Sequence, residues 1–300
     1  MQKTHKSGFV SIVGKPNVGK STLMNRLVGE NLAITSPKAQ TTRHRIMGII
    51  NGEDFQIVFS DTPGFIDEPA YRMHQMMNAF INLSFDDADI ILFLTDPYEP
   101  LGEHHSLIKR IGTHPAPAIL IINKKDLVSA EDMEKRKAEL SALLPGKNIH
   151  VISALKGEGV REIMEEISSL LPEGPPFYPK DQLTDRPERF FVSEIIRGKI
   201  LELFRDEIPY TCEIGIESFA EGESKSGPIT RISAIIYTLD ERKKSILLGK
   251  GGAAIKQLGV EARNEIETFL DKRVFLDLAV KVRDNWRDDD QSLKSFGYQN

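Results

Sequence analysis

The sequence predicts an α/β unit with a mostly parallel sheet and helices on both faces, followed by a smaller α+β unit. Three observations carry this expectation. First, Gly14-Lys15-Pro16-Asn17-Val18-Gly19-Lys20-Ser21 reads G-x-x-x-x-G-K-S between a strand-like run at 9–13 and a helical run at 21–28. Second, short apolar runs alternate with helical segments from there to residue 171. Third, a proline-rich stretch then separates two different rhythms. The expected division is 1–172, a stiff extended linker at 173–188, and 189–300 with its C-terminal tail.

The chain has 300 residues, which suits two domains. It is 40% hydrophobic, and its net charge of −5 gives no general basic field, so any nucleic-acid contact must be a local patch. The single cysteine, Cys212, excludes an internal disulfide framework, argues for a reducing compartment and reads as core. The polar N-terminus lacks a signal-peptide pattern, and no run is long enough to span a bilayer. A cytoplasmic protein is expected, with peripheral contact at the inner membrane left open. The tandem His104-His105 reads as an exposed helix face, and no histidine has metal-ligand spacing.

In order, the first element is the strand at 9–13, leading into the glycine-rich loop. Glycines let successive N–H groups point at phosphates, and the helix that follows adds positive potential. Leu23, Met24 and Leu27 supply that helix's apolar face. Lys20 is expected to reach the β- and γ-phosphates, Ser21 to ligate magnesium, and Thr22 to line the site. Residues 30–45 are polar and aperiodic, a candidate switch loop in which Thr41 or Thr42 ligates magnesium. Runs at 46–50 and 55–60 flank hairpin turn chemistry. The second ends in Asp61-Thr62-Pro63-Gly64, where Asp61 would hold magnesium through water and the Gly64 N–H would sense a γ-phosphate.

Strands at 88–94 and 118–122 follow. The latter ends in Asn123-Lys124-Lys125-Asp126. A carboxylate at Asp126 can accept from guanine N1–H and the 2-amino group together, and adenine would leave it unpaired. Asn123 would brace the loop and the Lys124 stem would pack under base and ribose. A strand at 148–152 leads to Ser153-Ala154, where the Ala154 N–H would meet guanine O6. A helix at 158–171 then carries Val160, Ile163, Ile167 and Leu170 on one face.

Beyond the prolines, 189–204 is helical, with Val192, Ile196, Ile200 and Leu203 on one face. Strands at 211–219 and 229–239 are joined by a Gly/Ser-rich loop. Leu248-Gly249-Lys250-Gly251-Gly252 follows, then a helix at 253–270 with Ile255, Leu258, Ala262, Ile266 and Phe269 inward. A strand over 274–282 alternates cleanly. This α-β-β-α-α-β order, with Gly-x-x-Gly between the middle helices, matches a KH domain of prokaryotic topology. Such a turn admits an RNA backbone. Lys250 can neutralise phosphate, and Leu248 and Ile255 can floor a groove for bases. Arg242, Lys243, Lys244 and Lys256 would form a local basic patch.

Together, Gly14 to Ser21, Gln40 to Arg45, Asp61 to Gly64, Asn123 to Asp126, Ser153-Ala154, Leu248 to Ile255 and Val280-Lys281-Val282 with Trp286 resemble the Era family of bacterial GTPases. The resemblance spans essentially the whole chain. It implies a Ras-like P-loop NTPase domain before the KH domain, and GTP and GDP as ligands with magnesium. It also implies binding of single-stranded RNA at the 3′ end of 16S ribosomal RNA, in service of 30S subunit assembly, by a protein expected to be monomeric. Phe65 stands where Ras-like enzymes carry a water-positioning glutamine, so slow turnover is expected. Similar GTPases with this substitution and an asparagine at the position of Asn17 use potassium. Asn17 is therefore a candidate potassium ligand, with a structural role in the loop as the alternative. Leu155 occupies a position where many small GTPases carry lysine. The alternative function is a GTPase coupled to RNA modification, although no catalytic motif for it is present. A metabolic nucleotide kinase is disfavoured by Asn123 to Asp126 and by the second unit.

Overall fold

The computed structural model describes residues 4–101, 105–224 and 227–298. His104 lies outside them, as do the His105 side chain and part of the Gly/Ser-rich loop. The chain divides into two compact units near Asp185 and Arg186, except that Ala70–Met73 group with the second.

In the first unit, β1 (Lys6–Gly14), β2 (Ile46–Asn51), β3 (Phe55–Asp61), β4 (Ile90–Thr95), β5 (Ala118–Ile122) and β6 (Ile149–Val151) form one sheet in the order β2-β3-β1-β4-β5-β6. All neighbours are parallel except the β2–β3 hairpin. Every residue of β4 and β5 is buried, because helices cover both faces. These helices are α1 (Lys20–Val28), α2 (Arg72–Asp86), α3 (His105–Thr113), α4 (Ala130–Leu143) and α5 (Val160–Leu170). The strand order reverses at β1, and a crevice opens outside the carboxyl ends of strands at such a point.

Two segments differ from expectation. Residues 43–45 belong to a polar loop, yet Arg43, His44 and Arg45 are buried. Arg45 Nε donates to Ser60 Oγ at 2.7 Å, and its Nη1 meets Asp87 at 2.7 Å. The stretch at 173–185, expected as a spacer, is fastened to the first unit. Ile49 N–H donates to Leu183 O, and the N–H groups of Phe177 and Tyr178 donate to Gln56 Oε1. The segment thereby pairs with β2, an otherwise open sheet edge.

The second unit contains α6 (Glu188–Leu203), β7 (Glu213–Ser224), β8 (Gly227–Thr238), α7 (Glu241–Leu248), α8 (Ala253–Leu270), β9 (Val274–Val282) and α9 (Asp290–Ser295). Its sheet runs β7-β8-β9, with β8 and β9 parallel. Val192, Ile196 and Ile200 of α6 pack with Leu258, Ala262 and Ile266 of α8. Leu270, not Phe269, completes the buried stripe. Phe269 lies at the helix edge, its ring 5.5 Å from that of Phe191. Thr211 sits in a short 3-10 turn ahead of β7, where its carbonyl accepts from the buried Trp286 Nε1 at 3.1 Å. Cys212 is a core residue.

Candidate nucleotide site and glycine turn

The loops at the carboxyl ends of β1, β3 and β5 enclose a cavity of about 480 Å³. One end is built by the phosphate-loop motif. Gly19 has φ 99°, and a Cβ there would lie 2.2 Å from Asn123 Nδ2, so both conformation and contact demand glycine. Gly64 presses on the loop equally closely: its Cβ would lie 2.6 Å from the Pro16 backbone nitrogen. Pro16, Asn17, Ser21 and Thr22 border the cavity, whereas Gly14 and Val18 lie behind it. Val18 is core, and the Gly14 carbonyl accepts from Phe65 N–H. Lys15 pairs with Asp67. Asn17 Nδ2 donates to Pro37 O at 2.9 Å, tying the motif to the candidate switch loop.

Lys20 is buried beneath the loop, its Nζ donating to Gly14 O at 3.1 Å and Lys15 O at 2.8 Å. Burial lowers its pKa to about 8, although Asp61 and Glu99 favour the cation. Beside it, Ser21 Oγ lies 2.7 Å from Thr42 Oγ1 and donates to Asp61 Oδ2 at 2.6 Å. Burial raises Asp61 to about 6, against the hydrogen bonds from Ser21 and Thr42. Asp61 Oδ1 is buried and has no hydrogen-bond partner among the described residues. Two hydroxyls and an underused carboxylate form an all-oxygen set, which fits a hard dication such as magnesium. Thr42 belongs to this set; Thr41 Oγ1 turns away to Lys38 O at 2.6 Å.

Asn123, Lys124 and Asp126 border the other end. Asn123 is a brace, as expected: its Nδ2 donates to Val18 O and its Oδ1 accepts from Ala154 N–H, both at 2.9 Å. Through that second bond the Ala154 N–H, expected to meet guanine O6, is engaged by Asn123 in this structure. Lys124 Nζ pairs with Asp96 Oδ2 at 2.6 Å, leaving its stem along the wall. A hydrogen bond from Ser153 holds the Asp126 carboxyl below its usual range, so it stays an acceptor at neutral pH. Leu127 and Leu155 are exposed yet border this end, and they supply apolar surface for a flat ring. The sequence marks Leu155 only as standing where many small GTPases carry lysine; Leu127 was missed, since a lone leucine in a loop carries no pattern.

In the second unit, α7 and α8 are joined by a turn in which Gly249, Gly251 and Gly252 all have positive φ. Lys250 projects from it, exposed. Alongside runs a groove of about 320 Å³ between α8 and β9, lined by Ile255, Lys256, Val260, Arg263, Phe275 and Leu278 among others. Leu248, expected in its floor, is not among the lining residues. The expected basic patch is also reduced. Lys243 pairs with Asp240, and Lys244 with Glu241 at 3.3 Å, on their own helix. Arg242, Lys250 and Lys256 have no ion-pair partner among the described residues. The exposed Phe275 was the signal for the groove: a large aromatic on the outward side of a strand.

The family model of 50S ribosome-binding GTPases matches residues 9–124, and that of KH domains matches 207–287. The chain is 43% identical to GTPase Era of Geotalea uraniireducens strain Rf4 over 299 residues, covering 99% of each. It is similar to a crystal structure of Era in complex with MgGDPNP and nucleotides 1506–1542 of 16S ribosomal RNA. There the TM-score is 0.91 and the identity 37%, over 99% of this chain and 100% of that one. A crystal structure of an Aquifex aeolicus Era variant bound to GDP and AlF4⁻ matches with the same score and identity, over 98% and 100%. The chain belongs to the Era family of GTPases, with a P-loop GTPase fold followed by a KH domain.

Proposed function

We propose that this GTPase is a switch that binds single-stranded RNA near the 3′ end of 16S ribosomal RNA and assists assembly of the 30S subunit. One observation carries the RNA half of this reading. The three-glycine turn, with Lys250 at its tip, opens beside an apolar groove in a chain that matches an RNA-bound Era structure over nearly its full length. The GTP-binding part is assigned to 1–172 and the KH part to 189–300.

In the first unit, loop N–H groups and Lys20 would take the β- and γ-phosphates, and Asp126 the guanine edge. Ser21, Thr42 and Asp61 would hold magnesium, which would neutralise negative charge on the nucleotide's phosphates. The Gly64 N–H would report the γ-phosphate to the segment that follows it. Asn17 Nδ2 is committed to Pro37, so its Oδ1 is the atom left for potassium. Hydrolysis in potassium against sodium at equal ionic strength checks that ligand, and equal rates would remove it. In the second unit, Gly249 to Gly252 with Lys250, Ile255 and Lys256 would meet the RNA, helped by Arg242; Lys243 and Lys244 contribute less while paired.

Among the described residues no helix is long and apolar enough to cross a membrane. The assigned place is the cytoplasm, with any contact at the inner membrane peripheral, and the assigned state is a monomer. The test is binding of an oligonucleotide from the 16S 3′ end, against a scrambled one, with a GTP analogue present. Preference for the true sequence, and co-sedimentation with small subunits, is the expected result. Equal affinity for both oligonucleotides would contradict it.

A further inference from the structure

The candidate switch loop presents one group that the reading above leaves unused. Gln40 borders the phosphate end of the cavity, next to Thr41, Thr42 and Gly64. Its φ is 55°, a conformation unfavourable for a residue with a Cβ and one that recurs at functional sites. One end of its amide lies 3.0 Å from His74 Nε2. The other end is buried without a hydrogen-bond partner among the described residues. This holds for either orientation of the amide, because the ring nitrogen can accept from the NH₂ or donate to the oxygen. His74 is itself buried near the start of α2.

An amide clamped at one end and unmet at the other, on the wall of the phosphate end, is suited to grip a water molecule. The usual source of that grip is missing here. Phe65 is partly buried against the core of the first unit, and its N–H is bonded to Gly14 O. We propose that Gln40 orients the water that attacks the γ-phosphorus, and that His74 is the positioning residue holding Gln40 to that task. The inference rests on the GTP-hydrolysis reading above. In the step, the water oxygen bonds to the γ-phosphorus as the bond from that phosphorus to the β–γ bridging oxygen breaks. The electron pair leaves on GDP, and the water protons pass to phosphate and solvent. GTP and water become GDP and phosphate, with no further reactant.

The test compares GTP turnover and nucleotide affinity in wild type, Gln40→Met, His74→Ala, His74→Gln and the double variant Gln40→Met/His74→Ala. Methionine keeps the volume of glutamine and removes its amide. Gln40→Met should lower kcat about 100-fold and leave GDP and GTP-analogue affinity within about twofold. His74→Ala should lower kcat by about 10-fold, and His74→Gln, which keeps a hydrogen-bonding group, should recover most of that loss. The double variant should match Gln40→Met alone, since His74 acts only through Gln40. Wild-type kcat in Gln40→Met, or equal losses of turnover and affinity, would overturn the proposal. Full additivity in the double variant would remove His74 from it. A wild type that binds GTP but never hydrolyses it would instead refute the underlying reading.

Discussion

In the proposed function the phosphate end of the cavity and the glycine turn of the KH domain both meet phosphate, yet they are built in opposite ways. At the first, the charged groups are inside. Lys20 and Asp61 are buried, and burial drives both toward their neutral forms. At the second, the backbone does the shaping, and the one lysine in the turn stands in solvent. A buried site holds its geometry before the ligand arrives but carries a desolvation cost in each ionised group. An exposed turn avoids that cost and relies on close approach and shape. Nucleotide binding should therefore respond steeply to single atoms, and RNA binding to charge and backbone access.

The largest effect should come from adding one methyl group. Gly19→Ala forces a Cβ onto the Asn123 amide at an unfavourable φ. It should cost nucleotide affinity about 3 kcal/mol or more, measured by titration with a fluorescent GDP. Wild-type affinity would mean that Asn123 does not brace the loop. Next, Asp126→Asn should weaken GTP by about 2–4 kcal/mol and improve xanthosine triphosphate, whose C2 carbonyl an amide N–H can meet. Competition between the two nucleotides reads this directly.

A third effect has the opposite sign for stability. Burial pushes Asp61 in the folded protein up to about 6, above the ordinary carboxylate value of 3.8. Folding then favours the protonated form, so stability falls as pH rises from the lower value through the higher one and stays reduced above it. Asp61→Asn should stabilise the nucleotide-free protein at pH 7 by about 2 kcal/mol while weakening magnesium-nucleotide binding. Lys20 has the mirrored behaviour: its folded pKa of about 8 lies below 10.5, so its contribution is lost as pH falls through 8. Denaturant melts across about pH 3.5 to 11 check both, and an unstabilised Asp61→Asn at pH 7 would contradict the burial argument. The smallest effect should be at the paired lysines. Lys243→Ala should change RNA affinity by less than about twofold, and Lys250→Ala by more.

How much of this was legible in the sequence follows the range of the interactions. The phosphate loop, Asp61 to Gly64, Asn123 to Asp126 and the Gly-x-x-Gly turn each lie within a few residues, so spacing and flanking periodicity revealed them. The choice of Thr42 over Thr41 needed the hydroxyl cluster, which brings together positions 21, 42 and 61. The bond of Ala154 to Asn123 spans 31 positions, and those of Phe177 and Tyr178 to Gln56 more than 120. No local pattern records them. The burial of Arg45 depends on Ser60 and Asp87, distant partners that a polar, aperiodic stretch does not reveal. The basic patch failed for a different reason. Asp240 and Glu241 stand three residues before Lys243 and Lys244, a helical pairing that was readable and was overlooked.

The contrast between the two sites is tested most directly by replacing Lys250 and Gly251 together with aspartate, and reading both activities on one preparation shown by circular dichroism to be folded. Gly249 and Gly252 remain, so the turn should survive, while two carboxylates face the RNA backbone. The account predicts that affinity for the 16S 3′-end oligonucleotide collapses. It also predicts that the salt dependence of residual binding flattens by roughly 0.7 per lost phosphate contact, and that GTP turnover without RNA stays at the wild-type value. A folded variant that keeps wild-type affinity for that RNA would contradict it, leaving the turn as a connection between helices and nothing more.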